Sequence, residues 1–262
     1  MTLEALLAAV YAHPDDIAAR LVYADALADA GDPRGEFIAR QCRGDEARDL
    51  LAVHRNRWLG ALAPILHPKG SEFVNGFLTT ARVRDETPAK LRNAVGDPVW
   101  STVVEIDFVR GEAGPANAII KSPVMCTLYT VYNLESDAFA ALCSSARPLP
   151  LRTITAHASP YFERLDDTSS TELATAIEHA PGLPALRHLV LTADSHLYHP
   201  PYLRWLLASQ LVGRLELLEL EGFGGNDPDW ADVVRDAHPG LGRLVINNIR
   251  VPRDEHGRLA IR

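Results

Sequence analysis

The sequence predicts an α/β fold in which an N-terminal helical module, residues 1–72, precedes an array of alternating strands and helices, residues 73–262. Three observations support this prediction. Apolar residues in the first part recur at three- and four-residue steps, which is typical of helices. Short apolar triplets in the second part recur along the chain, which is typical of a repeat architecture. Polar residues alternate with apolar ones in those triplets, so each strand is expected to have one exposed face.

Composition and charge narrow the class of protein. The chain has 262 residues, of which 47% are hydrophobic and 23% are charged, so it can bury a substantial core. The formal net charge of −8 argues against binding to nucleic acid or to an anionic membrane, since both require a basic surface. The three cysteines lack CxxC spacing, and we find neither a secretory signal nor a membrane-spanning apolar run. We therefore expect a cytoplasmic protein with reduced thiols.

Four helices are predicted in the first part. An oxygen-bearing side chain at a helix start accepts a free backbone N–H, and proline fits the first turn. The start signals of this kind are Thr2, Asp15 with Asp16, and Asp32 with Pro33. The first helix is expected over residues 3–12, the second ends at Gly31, and the fourth covers about residues 45–62.

Two segments of the first part carry a longer and more specific pattern. They are LVYADALADAGDPRGEFIARQ (residues 21–41) and RDLLAVHRNRWLGALAPIL (residues 48–66), after which Gly76 and Phe77 open a strand. Together they resemble the bacterial repeat-companion domain, with one departure at Ala26, where the family often has tryptophan. The resemblance implies an N-terminal companion of a repeat array such as leucine-rich repeats. It implies no catalytic residues.

The apolar triplets of the second part follow the spacing of leucine-rich repeats, with leucine-like residues at relative positions 1, 4 and 6. Successive fourth-position residues are 24 to 35 residues apart. The clearest triplets are Leu186-Leu189-Leu191, Leu215-Leu218-Leu220 and Leu241-Leu244-Ile246. Weaker matches are Met125-Leu128-Thr130 and Leu151-Ile154-Ala156, and Val104, Ile106 and Phe108 look like the same strand one repeat earlier.

Helix-like segments separate the triplets, at residues 136–143, 171–179, 201–210 and 229–237. Repeats of this kind stack into a solenoid, here a horseshoe with the parallel sheet on the concave side and helices on the convex side. Residues 166–170 are expected to form a surface loop, and residues 251–262 a closing hairpin or strand. The alternative is a doubly wound α/β sheet, but its strands would be continuous apolar runs.

Motifs for catalysis or for metal and phosphate binding are weak. His196 and His199 beside Asp194 lack the additional spaced ligands of a zinc site. The segment EGFGGN (residues 221–226) follows a strand and precedes a helix, but it lacks both GxGxxG and a Walker lysine. We interpret the first as a surface loop and the second as a tight repeat turn. The sequence thus predicts no catalytic, cofactor or metal site, and we expect a protein that is not an enzyme.

Two further pairs of residues have structural interpretations. Cys126 and Cys143 fall at apolar repeat positions and are expected to be small core residues. Arg34 and Glu36 lie in the most family-specific segment, where we expect a structural ion pair rather than a binding role.

The strand positions between the buried leucines are predicted to face the concave side, where solenoids usually bind partners. This places positions such as Val103, Thr127 and Val131 on the exposed face. The candidate binding residues chosen from this face are Glu105, Asp107, Tyr129, His157, His188, Leu217, Glu219, Glu221 and Arg243.

The function predicted from these features is a scaffold that binds a protein partner, as a monomer or in a hetero-complex. One alternative is a small-molecule enzyme or ligand-binding protein with a site between the helical module and the first repeats. Another alternative is a regulatory subunit whose helical module docks onto a larger assembly. The sequence does not distinguish this function from that of a scaffold.

Overall fold

A computed structural model describes residues 1–84, 88–108, 113–158, 168–193, 200–225 and 227–261. The chain divides into two compact units, residues 1–111 with 118–128, and residues 112–117 with 129–262. The described ranges contain eleven α-helices and nine strands, and most strand pairs are parallel, which confirms the predicted α/β class. Within each unit the paired strands follow chain order, and among the described residues no pairing closes a sheet on itself.

The first unit opens with four helices. The first three begin at predicted capping residues, whereas the fourth follows Ala47, which makes no side-chain capping bond. Thr2 Oγ1 accepts a hydrogen bond from the amide of Ala5, and the side chains of Asp16 and Asp32 cap the next two helices. The fourth α-helix ends three residues earlier than predicted, because the chain continues through a 3₁₀ turn over Gly60–Leu62. The helices are α1 (Leu3–Ala12), α2 (Ile17–Asp29), α3 (Pro33–Cys42) and α4 (Arg48–Leu59).

Three strands follow in the first unit. They are β1 (Glu72–Val74), β2 (Phe77–Val83) and β3 (Glu105–Phe108). The first two form an antiparallel hairpin, and β3 pairs with β2 in parallel. Between β2 and β3 lie helix α5 (Pro88–Ala94) and a 3₁₀ segment (Pro98–Thr102), and helix α6 (Ala113–Ile120) contains residues of both units.

The helices and the hairpin of the first unit share a core. Phe77 of β2 is buried among Val10, Tyr23 and Ile38. The Arg20 guanidinium is also buried, and it donates hydrogen bonds to the main-chain oxygens of Pro14, Val74 and Asn75. These bonds join α2 to the turn of the hairpin. The domain boundary between residues 72 and 73 stays a prediction.

The structural ion pair expected at Arg34 and Glu36 is confirmed for Glu36, whereas Arg34 makes a different contact. Glu36 pairs within its own helix, with Arg40 at 3.5 Å. The Arg34 guanidinium instead lies over the Phe77 ring, 5.1 Å from its centroid. Arg34 therefore connects α3 to the strand that follows the helices, but through a cation–π contact.

The second unit alternates strands with helices. Its strands are β4 (Thr130–Leu134), β5 (Thr153–Ala158), β6 (His188–Ala193), β7 (Leu217–Glu221), β8 (Leu244–Ile246) and β9 (Ile249–Arg250). Its further helices are α7 (Ser136–Cys143), α8 (Thr168–His179), α9 (Arg204–Leu207), α10 (Gln210–Gly213) and α11 (Asp227–Arg235). The closing hairpin or strand predicted for residues 251–262 is partly confirmed, since Arg253 and Leu259 form an antiparallel bridge. The hairpin of β8 and β9 lies just before that range.

The predicted triplets of the second unit lie side by side across the sheet. The fourth-position residues Ile154, Leu189, Leu218 and Leu244 are register partners on β5 to β8. The sixth-position residues Ala156, Leu191, Leu220 and Ile246 form a second such row. Both rows are buried, so neighbouring strands stack equivalent side chains into one apolar layer.

Several predictions about the second half are wrong in detail. The strand predicted around Met125 and Leu128 begins only at Thr130. The hydroxyl of Thr127 is buried and donates to the main-chain oxygen of Ser101 at 2.7 Å, and Val103 and Val131 are also buried. These three residues therefore do not lie on an exposed face.

Helix boundaries also differ from the predictions. Helix α8 begins at Thr168, inside the expected loop at 166–170, of which residues 166 and 167 lie outside the described residues. The single helix expected over 201–210 is a 3₁₀ segment followed by the two short helices α9 and α10. The His196–His199 motif lies outside the described residues.

The cysteines differ in accessibility. Cys143 is fully buried, as predicted, whereas Cys126 is exposed, which contradicts its expected place in the core. Burial raises the pKa of the Cys143 thiol, so its reactive thiolate form is scarce.

We expect iodoacetamide to alkylate Cys126 in the native protein and to reach Cys143 only after unfolding. A mass-spectrometric time course measures both alkylation rates. We expect the rate at Cys143 to be lower than the rate at Cys126 by a factor of about 100. The same course in urea serves as the control, because both thiols are then accessible. Equal native rates at the two cysteines would contradict the buried position of Cys143.

Candidate binding surface

The exposed side of strands β5 to β8 is the surface on which most of the predicted residues lie. Along each strand, side chains that face the apolar layer alternate with partly exposed ones. The exposed side chains form rows across the strands, because the parallel register aligns them. We call this surface the sheet face, formed by Thr153, Thr155, His157, His188, Val190, Thr192, Leu217, Glu219, Glu221, Arg243 and Val245.

The row at the amino-terminal ends of the strands combines an apolar side chain with charged ones. Thr153, His188 and Leu217 are register partners, and His188 Nε2 lies 3.5 Å from the Glu216 carboxylate. Arg243 precedes β8 at the same end and is exposed. This end of the sheet face therefore offers both hydrophobic contact at Leu217 and the guanidinium group of Arg243.

An aromatic–cation pair extends this row toward β4. The Arg152 guanidinium lies 5.0 Å from the centroid of the Tyr129 ring, and the Arg152 amide donates to the Tyr129 carbonyl oxygen. Both side chains are exposed. Tyrosine and arginine are enriched where interfaces derive most of their binding energy. Tyr129 is among the residues predicted from the sequence, whereas Arg152 is not, because it lies immediately before the strand.

The middle row is acidic at its centre. Thr155, Val190, Glu219 and Val245 are register partners, so the Glu219 carboxylate has a valine on the strand at either side. Within the described part of the chain, no basic group lies within 4 Å of the carboxylate of Glu219. A carboxylate in this setting can accept hydrogen bonds from an incoming basic group.

The row at the carboxyl-terminal ends is polar. His157 Nδ1 and Thr192 Oγ1 are hydrogen-bonded at 2.9 Å, and Thr192 is the register partner of Glu221. The next side chain, Asn247, accepts from the Gly222 amide and donates to the Phe223 carbonyl oxygen, both at 2.8 Å. These bonds hold the side chains in place before binding, which reduces the entropy lost on association.

The two remaining predicted residues lie in the first unit. Glu105 and Asp107 occupy the partly exposed positions of β3, opposite Thr80 and Arg82 of β2. The Asp107 carboxylate lies 3.3 Å from Arg82 Nε, so its charge is already compensated within the protein. The structure therefore brings seven of the nine predicted residues into the second unit and leaves these two on β3.

Comparison with protein-family models, with curated proteins and with solved structures gives no match to this chain. Of the helices in the described ranges, none has the length and apolarity needed to cross a membrane. In the same ranges, no group of three or more histidine, cysteine or acidic side chains is arranged to hold a metal ion.

Proposed function

We propose that this chain is a non-catalytic interaction module that binds a protein partner on the sheet face. The observation that carries the proposal is the sheet face itself. On four strands in parallel register it presents an unbroken series of partly exposed polar, charged and apolar side chains. A surface of this breadth suits a protein better than a small molecule, which usually requires a concave pocket.

The proposed architecture is a leucine-rich-repeat solenoid preceded by a helical module of the repeat-companion type. Two aligned rows of fourth- and sixth-position residues support the repeat interpretation, because equivalent residues of successive repeats stack in a solenoid. The capped helices α1 to α3 and the strand that opens at Phe77 support the helical module.

The carboxylates on the sheet face suggest the chemistry of the partner. Glu219 and Glu221 are half-buried, and neither has a basic group within 4 Å among the described residues. Partly buried carboxylates interact more strongly with an incoming cation than fully exposed ones, because water screens the charges less. We therefore expect the partner to place lysine or arginine side chains over the middle of the face.

Replacing both residues, Glu219→Lys and Glu221→Lys, is expected to weaken binding of the partner at least tenfold, about 1.4 kcal/mol. The measurement is affinity capture from native cell lysate with quantitative mass spectrometry, in which wild type and variant are compared. The matched control is Glu178→Lys with Glu255→Lys, which makes the same change of charge at two exposed sites outside the sheet face.

A partner lost by the first variant and kept by the control supports the proposal. A partner kept by both variants would contradict it and direct the search to the helical module. If wild type captures no partner, the small-molecule alternative gains weight and a metabolite-binding screen is the next experiment.

A further inference from the structure

The end of the second unit carries two adjoining grooves. One has a volume of about 410 Å³ and is lined in part by Arg243, Arg250 and Arg253. The other has a volume of about 350 Å³ and is lined in part by Trp230, Ile246 and Ile249. Arg250, Val251 and Pro252 line both grooves, so the basic site and the apolar site are continuous.

The arginines of the first groove play different roles. Arg253 donates to the main-chain oxygens of Leu241, Gly242 and Gly257, so its side chain is fixed by the fold. Arg243 and Arg250 are exposed, and no carboxylate of the described ranges lies within 4 Å of either guanidinium. Two guanidinium groups beside one groove, both without an acidic partner, favour an anionic ligand.

The second groove is suited to an apolar side chain. Ile246 and Trp230 are buried and form its walls, whereas Ile249 is 73% exposed. A single exposed aliphatic side chain is common on protein surfaces, but one that lies beside an apolar groove indicates a contact site. One end of the two grooves is therefore suited to an anionic group, and the other end is suited to an apolar group.

We propose that these grooves bind an acidic peptide segment of a protein partner, in which an aliphatic side chain is flanked by carboxylates. The carboxylates accept hydrogen bonds from Arg243 and Arg250, and the aliphatic side chain packs against Ile249 and Trp230. Arginine suits this task because its planar guanidinium can bind a carboxylate through two parallel hydrogen bonds. The site overlaps the sheet face at Arg243, and its other ligand-binding residues, Arg250, Ile249 and Trp230, lie outside the sheet face.

The test uses the full chain and a fluorescein-labelled peptide, Ser-Glu-Leu-Glu-Ser, with binding followed by fluorescence anisotropy. Two comparison peptides replace either both glutamates by lysine or the leucine by serine. We expect the first peptide to bind at least tenfold more tightly than either comparison peptide. Arg250→Gln and Ile249→Ser should each weaken its binding at least fivefold, because each removes one half of the site.

Exposed residues elsewhere provide the matched controls. Arg92→Gln makes the same change as Arg250→Gln, and Val53→Ser makes a change similar to Ile249→Ser, both at exposed positions of the first unit. Both variants should leave binding unchanged. Glu219→Lys with Glu221→Lys should not weaken binding of this peptide, which separates the present inference from the sheet-face proposal.

Three results would overturn the inference. Unchanged affinity in Arg250→Gln would place the peptide elsewhere. Equal affinity for the serine-substituted peptide would leave a site for bare anions without an apolar contact. Equal affinity for the lysine-substituted peptide would exclude recognition of carboxylates.

Discussion

Replacing Phe77 with alanine is expected to lower the free energy of unfolding of the first unit by about 3–5 kcal/mol. The ring is 1% exposed, and the rings of Tyr11 and Tyr23 lie 6.2 and 6.4 Å away between centroids. The guanidinium groups of Arg20 and Arg34 lie over it at 5.0 and 5.1 Å. Removing the ring therefore leaves a cavity and also two cations without their aromatic contact.

Urea unfolding monitored by circular dichroism measures this loss. The control is Val53→Ala, because Val53 is 75% exposed on α4 and its truncation should cost less than about 0.5 kcal/mol. A loss below about 1 kcal/mol for Phe77→Ala would show that this residue does not connect the helices to the hairpin.

The second large effect is expected for Gly222→Ala, in the segment whose glycines could suggest a phosphate loop. Gly222 has a φ of +76°, and a Cβ atom there would lie 2.4 Å from the carbonyl oxygen of Ala193. The left-handed backbone costs alanine about 1–2 kcal/mol, and overpacking adds about 1–3 kcal/mol. We therefore expect a total loss of about 2–5 kcal/mol, measured by urea unfolding.

Gly257 provides a matched control for this substitution. Its φ is also +76°, but among the described residues beyond its two chain neighbours no atom lies within 4 Å of the position that a Cβ would occupy. Gly257→Ala should therefore show the backbone cost alone, about 1–2 kcal/mol. Equal losses of unfolding free energy for the two variants would mean that the close contact of a Cβ atom with Ala193 adds nothing to the cost of Gly222→Ala. A larger loss for Gly222→Ala supports the interpretation of this segment as a tight turn.

Local signals made the helices and the apolar layer predictable. Thr2, Asp16 and Asp32 cap helices in the structure because the backbone N–H groups of a first helical turn have no acceptor within the helix. Leu189, Leu218 and Leu244 occupy equivalent positions because burial of one strand face fixes the register.

Non-local contacts made β4 and part of the sheet face unpredictable. Thr127 has the spacing of an exposed strand residue, yet its hydroxyl is buried through bonds to the carbonyl oxygens of Ser101 and Val103. Asn133, with a φ of +58°, lies where the pairing of β4 with β5 is irregular. The contact of Arg152 with Tyr129 joins residues 23 positions apart and has no local signature.

The central claim is that a protein partner covers the sheet face, and hydroxyl-radical footprinting tests it most directly. The captured partner is added to the chain, and oxidation of each side chain is quantified by mass spectrometry with and without it. We predict protection of Tyr129, His157, His188 and Leu217, with unchanged oxidation of the exposed Val22 on α2. Protection of Val22 with unchanged oxidation of these four residues would contradict this claim and place the partner on the helices.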